Sequence, residues 1–229
     1  MKLAIMQPYL FPYIGYWQLI NAVDTFIIYD DVAYIQRGWI NRNNFLINGE
    51  KKLFTMTVKN ASQNSLINQL EIHDDFSKFQ KMLRFNYAKA PHFDEVMDLL
   101  SEIITFDRKN LAKFLENSIA LVSSYLKITT TMTLSSSINK DNSLKGQDKI
   151  LEICKLMHAS DYYNAIGGTD LYSRNDFIDN GISLRFIKSN LSQYKQFKND
   201  FISGLSIIDV MMFISVDIIN EMLNDYVLI

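Results

Sequence analysis

With one cysteine, Cys154, the chain can form no disulfide within itself, and a large unbridged fold is expected in a reducing compartment, the bacterial cytoplasm being the simplest. Three prolines and eight glycines among 229 residues leave few places for a linker, so one continuous unit is expected over residues 1–229. Long apolar runs are missing as well. The opening stretch after Met1-Lys2 ends at Met6, too short for a signal peptide, and the longest later run, Val210 to Ile214, is bounded by Asp209 and Ser215. No bilayer-spanning segment is expected, although peripheral contact with the inner membrane stays open. Nor does one charge sign dominate: 23 basic residues face 25 acidic ones without strong clustering, which argues against nucleic acid as a partner. His73, His92 and His158 are scattered, and no P-loop, G-x-S-x-G elbow or HExxH pair occurs. No metal site is expected.

What is present is 48% hydrophobic residues, enough for a sizeable core. Leu3 to Met6 reads as a buried strand. Pro8 and Pro12 fix their own φ and restrict the residue before them, so an extended loop follows. A helix is expected from Gly15 to Val23, then a second buried strand over the β-branched and aromatic Thr25 to Tyr29. A right-handed crossover makes such strands parallel, and ligands then bind outside their carboxyl ends, where Gln7 to Pro12 and Asp30-Asp31 fall. Lys52 to Val58 alternates as a strand after a turn at Ile47-Asn48-Gly49-Glu50, and Ile67 to Ile72 reads as another short one.

Ser77 to Leu126 is helical in pattern, opened by a Ser77/Gln80 capping box and interrupted at Pro91. It sets off a helical subdomain at about 75–127. Thr129 to Leu134 returns to strand character, Ser135 to Gly146 is a polar loop, and Gln147 to His158 is an amphipathic helix with Cys154 on its apolar face. Strands over Asp161 to Ala165 and Ile182 to Ile187 flank a helix near Leu171 to Asp179. A Ser206/Asp209 capping box opens an apolar helix over Ile207 to Leu223, which covers the core or a partner subunit in a homodimer. The fold class expected is α/β, a mainly parallel sheet flanked by helices with a helical insert in mid-chain.

Gln7 to Trp17 places five aromatics and two prolines in eleven residues directly after a strand. Rigid aromatic faces with polar tips suit a sugar, a base or an acyl chain, which makes Gln7, Tyr9, Phe11 and Tyr16 candidate binding residues; a packed aromatic corner of the core is the plainer account. Asp30-Asp31 at a strand end would hold a metal, orient a hydroxyl or amine, or supply a base, against the plainer account of a solvated turn or helix cap. A metal is the weakest of these, with no His or Cys nearby in sequence. Arg37, Trp39, Arg42 and Asn43, within Arg37 to Asn44, carry the guanidinium, indole and carboxamide groups that grip phosphate or carboxylate and hydrogen-bond a sugar; a polar surface helix would use the same composition. Gly167-Gly168 would lay backbone N–H groups against a phosphate, or form a tight turn. Lys145 to Lys149 is a second polar contact or the start of a helix.

The run Gln7 to Tyr16, the Asp24-Thr25-Phe26 and Asp30-Asp31-Val32 sets, and Trp39-Ile40-Asn41-Arg42-Asn43 resemble the WbqC-like family. Tyr163 to Tyr172, Gly181-Ile182 and Leu205 to Asp209 extend the resemblance over nearly the whole chain, less clearly in the middle helices. The resemblance implies a role in bacterial O-antigen or surface-polysaccharide synthesis, and a member proposed to transfer glycine onto an amino sugar implies an aminoacyl- or acyltransferase. The strand, proline-containing loop and helix also resemble the opening of nucleotidylyl-transferase-like enzymes. Tyr13-Ile14-Gly15-Tyr16 stands where those enzymes carry two histidines, which argues against adenylyl transfer.

These readings combine into an amide-forming enzyme acting on a nucleotide-linked amino sugar, with ATP or an activated acyl or aminoacyl donor as co-reactant. Asp30 or Asp31 is expected to take the amine proton, and Arg37 and Arg42 to hold diphosphate or carboxylate. The alternatives are a non-catalytic sugar-nucleotide-binding or glycosyltransferase-partner module, and a sugar transferase without an amide step.

Overall fold

The computed structural model describes residues 1–229 except Asn60, Gln63 and Asn199. β1 (Lys2–Met6), α1 (Ile14–Asn21) and β2 (Thr25–Ile28) form a strand-helix-strand unit in which β1 and β2 are parallel, Leu3 opposite Thr25 and Met6 opposite Ile28. All four residues of β2 are buried, as a strand covered on both faces requires. From β2 the chain leaves the sheet for an excursion of about a hundred residues. It begins with a hairpin, β3 (Arg42–Ile47) and β4 (Glu50–Thr55), turning at Asn48-Gly49, both at positive φ. The short pair β5 (Val58–Lys59) and β6 (Glu71–Ile72) follows, then three helices, α2 (Ser77–Tyr87), α3 (Phe93–Thr105) and α4 (Leu111–Tyr125).

The chain returns as β7 (Thr131–Leu134), parallel to β2, continues through α5 (Gly146–Leu156), and then crosses to the far side of β1 as β8 (Asp161–Ala165). α6 (Arg174–Asp179), β9 (Ser183–Ser189), α7 (Ile207–Phe213), α8 (Val216–Met222) and the antiparallel β10 (Tyr226–Leu228) complete it. The sheet runs β10-β9-β8-β1-β2-β7 and is parallel apart from β10. Strand order reverses between β1 and β8, and carboxyl ends beside such a reversal are where open α/β sheets bind ligands.

Side chains alternate across the sheet and divide the core in two. Leu3, Ile5 and Ile27 face α5 and α6, meeting Ile150, Ile153, Cys154 and Phe177. Ala4, Phe26 and Ile28 face α1 and join a larger cluster that runs without a break into Phe79, Leu83, Leu100, Phe114 and Ile119 of the helical excursion.

Several local expectations change. β3 occupies the stretch whose polarity also fits a surface helix. Its alternating burial, with Asn43, Phe45 and Leu46 enclosed, shows that polar side chains are here turned into the protein. The strand expected over Lys52 to Val58 is split between β4 and β5. The segment Ile67 to Ile72 is a single 3-10 turn plus the two residues of β6. Ser77 is the first residue of α2 and not its cap, because Phe76 takes the cap position at φ +58 without a side-chain bond. At α7, Ser206 does accept from the Ile208 N–H, but the Asp209 carboxylate turns away to the hydroxyls of Tyr87 and Tyr194, so half of the expected box forms. The final helix is two helices, parted where Ile214 adopts an extended conformation.

Candidate functional site

The loop after β1 has an inward and an outward side. Phe11 is fully buried at φ +44, a left-handed conformation costly for a bulky residue, and its ring stacks on Phe79 with centroids 5.6 Å apart. Three bonds hold that conformation. Asn43 Nδ2 donates to the carbonyls of Leu10 (3.0 Å) and Phe11 (2.6 Å), and Ser206 Oγ donates to Phe11 O (2.8 Å). Tyr16, also buried, donates to Gln7 O at 3.2 Å. Phe11, Tyr16 and Asn43 thus shape the loop from behind.

Its outward side borders a hollow of about 470 Å³ beyond the carboxyl end of β1. Tyr9, Tyr13, Ile35 and the 54% exposed Trp39 give it apolar walls, and Gln7, Asn44 and Lys51 add polar groups. Tyr9 accepts from the Tyr13 N–H at 3.2 Å, and burial pushes its phenol well above the ordinary value. Arg42 bonds Gly38 O (2.6 Å) with its guanidinium 6.0 Å from the Trp39 ring centroid, so it braces the indole. Arg37 is exposed, at φ +60.

The two adjacent carboxylates face different surroundings, at a point where the chain turns out of β2 with Asp30 N–H bonded back to Ile28 O at 3.0 Å. Asp30 is 1% exposed and engaged on both oxygens: Oδ1 accepts from Ser136 N (2.9 Å), and Oδ2 accepts from Ser136 Oγ (2.6 Å) and Asn68 Nδ2 (3.2 Å). A general base needs an open lone pair toward substrate, and Asp30 instead ties the carboxyl end of β2 to the turn after β7 and to the excursion. Asp31 Oδ2 meets two lysines, Lys140 at 2.8 Å and Lys149 at 3.1 Å. Burial raises the Asp31 carboxyl, but hydrogen bonds from Lys140, Ser135 and Lys149 outweigh it and hold the group below the ordinary carboxylate value. Asp31 Oδ1 and the Ser135 hydroxyl are buried without a formal hydrogen-bond partner among the described residues, although the hydroxyl is close enough to favour the charged carboxylate.

Lys140 and Lys149 went unmarked or nearly so in the sequence, yet their side chains are only 1% and 7% exposed. Lys140 also donates to Ser135 O, and Lys149 to Asp31 O at 3.3 Å while lying 5.3 Å from the Tyr29 ring centroid. They stand beside a second hollow of about 770 Å³, between the carboxyl ends of β2 and β7, bordered by Tyr29, Asp31, Asn68, Ser136, Lys145 and Lys149. Burial and the neighbouring Asp31 charge push the Tyr29 phenol upward. Among the described residues no group of three or more His, Cys, Asp or Glu is arranged to hold a metal.

Gly167 and Gly168 lie in the 3-10 turn after β8, Ile166 to Leu171, and border neither hollow. A Cβ on Gly168 would come within 2.9 Å of Asn164 Nδ2, so close packing on a buried carboxamide explains this glycine; Gly167 faces open space. Of the residues singled out in the sequence, Gln7, Tyr9 and Trp39 are brought to the aromatic hollow, Asn43 reaches its edge while its amide clamps the loop, and Asp31 borders the lysine hollow. Phe11, Tyr16 and Asp30 lie behind them.

The chain matches the model of the WbqC-like protein family over residues 7–221. It is 29% identical over 215 residues, 92% of each chain, to the uncharacterized protein Rv1507c of Mycobacterium tuberculosis. No solved structure matches it. Among the described residues no helix is long and apolar enough to cross a membrane.

Proposed function

We propose, from the premise that this chain belongs to the WbqC-like protein family, that it joins an acyl or aminoacyl group, glycyl being the simplest, to the amine of a nucleotide-linked amino sugar in O-antigen or surface-polysaccharide synthesis. The observation that supports this is the aromatic hollow at the carboxyl end of β1, with Tyr9 and Trp39 as apolar faces for a sugar ring or acyl chain and Gln7, Asn44 and Lys51 as polar groups beside them. In the reaction the amine nitrogen attacks the donor's acyl carbon, the new C–N bond replaces the bond to the leaving group, and the amine proton departs with that group. The donor is an activated acyl or aminoacyl compound, or the free acid with ATP. Holding amine and acyl carbon in contact supplies much of the rate.

Of the two carboxylates, Asp31 is the one that borders a hollow, and Lys140 and Lys149 hold it in the ionised form that would orient an amine or hydroxyl. The engagement of both carboxylates within the protein also favours a second reading, a sugar-nucleotide-binding module without catalysis. Incubation of the protein with UDP- or dTDP-amino sugars, glycine and ATP, or with preformed acyl donors, followed by mass spectrometry of the sugar nucleotide, separates them. The first reading expects the mass of the amide. Retained binding of the sugar nucleotide with no amide from any donor would leave the second.

A further inference from the structure

We propose that the hollow between the carboxyl ends of β2 and β7 is a phosphate site, built by Lys149, Lys145 and the start of α5 with Lys140 enclosed behind Asp31, that takes the diphosphate of a nucleotide. The proposal rests on the functional reading above only for the identity of the ligand. The site itself follows from charge and geometry.

Burying an ammonium group is costly unless a counter-charge lies beside it. Here two lysines, both almost wholly enclosed, share the single carboxylate of Asp31. Carbonyls of Ser135 and Asp31 take further lysine protons but bring no formal charge. One of the two ammonium groups thus has no carboxylate of its own, since Asp30 is turned to Ser136 and Asn68 and Asp148 lies exposed in the first turn of α5. Lys145 adds another ammonium at the rim, and Asp31 is the one acidic residue bordering the hollow among the described residues. A bound anion is the natural completion.

The helix contributes independently. α5 spans eleven residues and begins at Gly146, which borders the hollow, and no side chain caps it. Its first N–H groups need acceptors, and the helix dipole favours an anion there. Gly146 has φ +54, and a Cβ built on it would meet nothing within 4 Å, so the approach to the helix start is open. Asn68 and the Ser136 backbone, held in place by Asp30, border the same space.

The lysine hollow and the aromatic hollow lie along one stretch of chain. One segment serves both: Val32 and Ala33 border the lysine hollow, and Ile35, Gly38 and Trp39 the aromatic one. Phosphate binding is thereby assigned to lysines after β7 and not to Arg37 and Arg42, of which the first is exposed and the second bonds Gly38 and braces Trp39.

Calorimetric titration with inorganic pyrophosphate and with UDP tests this. The wild-type protein is expected to bind both, more weakly as salt is raised. Lys145→Glu, at an exposed position, and Lys149→Gln are each expected to weaken pyrophosphate by about 10-fold or more, the scale of one lost charge-assisted contact. Arg42→Gln should leave pyrophosphate unchanged. Because Lys149→Gln disturbs a buried pair, Lys145→Glu decides if the former fails to fold. Absence of pyrophosphate binding to wild type, wild-type affinity in Lys145→Glu, or loss of binding in Arg42→Gln would overturn the site. Amide formation separates the two proposals. Pyrophosphate binding that needs Lys145, with no amide from any donor, leaves the site standing and removes the transferase. Amide formation at unchanged KM in Lys145→Glu does the reverse.

Discussion

Asp30 offers the sharpest discrimination between a carboxylate that reacts and one that holds the architecture together. Replacing it with alanine removes an acceptor from three donors: the Ser136 N–H, the Ser136 hydroxyl and the Asn68 amide. Hydrogen bonds to an ionised group contribute about 1.5–3 kcal/mol each, but Ser136 is exposed enough for water to replace part of what is lost. A net loss of roughly 3 kcal/mol is the expected outcome. For a chain of this size that lowers Tm by ~6–12 °C. Asp30→Asn should fall in between, since an amide oxygen still accepts from Ser136 N while its NH2 group meets the Asn68 donor. Thermal unfolding followed by circular dichroism measures both, and amide hydrogen exchange at Ser136 should accelerate in the alanine variant. A Tm for Asp30→Ala within 2 °C of wild type would refute the account. Loss of amide formation in a fully stable Asp30→Asn protein would return Asp30 to the reaction.

Phe11→Ala should cost about 3–5 kcal/mol, because a buried ring stacked on Phe79 is lost, whereas Tyr9→Ala and Trp39→Ala should chiefly weaken sugar-nucleotide binding; denaturant titration and calorimetry on the three variants compare them. The Asp31 carboxyl lies below its ordinary value of 3.8, so the stability it contributes is present above that pH and is lost as pH falls through the lower native value. The margin of wild type over Asp31→Asn should therefore hold from neutral pH down to about 4 and shrink below it, as acid unfolding curves of both would record. Burial pushes the Cys154 thiol up to about 12, so the folded protein should resist a thiol reagent at pH 8 and react once denatured.

The strands of the sheet were legible because a parallel strand covered on both faces announces itself as an uninterrupted apolar run, as Leu3 to Ile5 and Phe26 to Ile28 do. The polar side chains were harder. Asn43 has the same carboxamide whether it turns to a sugar or to the carbonyls of Leu10 and Phe11, and nothing local in the sequence reveals that Phe11 needs such a clamp. Aromatic density marked a loop that borders a hollow without telling Tyr9 from Tyr16, because which ring faces outward is decided by Phe26 and Trp17 packing on the second. That Asp30 and Asp31 would part company depends on the turn by which the chain leaves β2, which the doublet itself does not reveal. The lysines were fainter still: Lys149 stood at the end of a segment that read equally as a polar contact or a helix start and meets its carboxylate across 118 positions, and a polar loop before a helix is too common to single out Lys140.

The central place of β1 carries a consequence for synthesis of the chain. This first strand has one neighbour at hand, β2, but its other edge waits for Asp161–Ala165. Between them the ribosome must deliver the whole excursion and α5, on the order of ten seconds of translation. Throughout that interval an apolar strand presents an unpaired edge, the kind that templates aggregation. Yield from a strong promoter should therefore respond to chaperone supply and to growth temperature more than the stability of the finished protein would indicate, and fragments ending before β8 should be recovered only in the insoluble fraction.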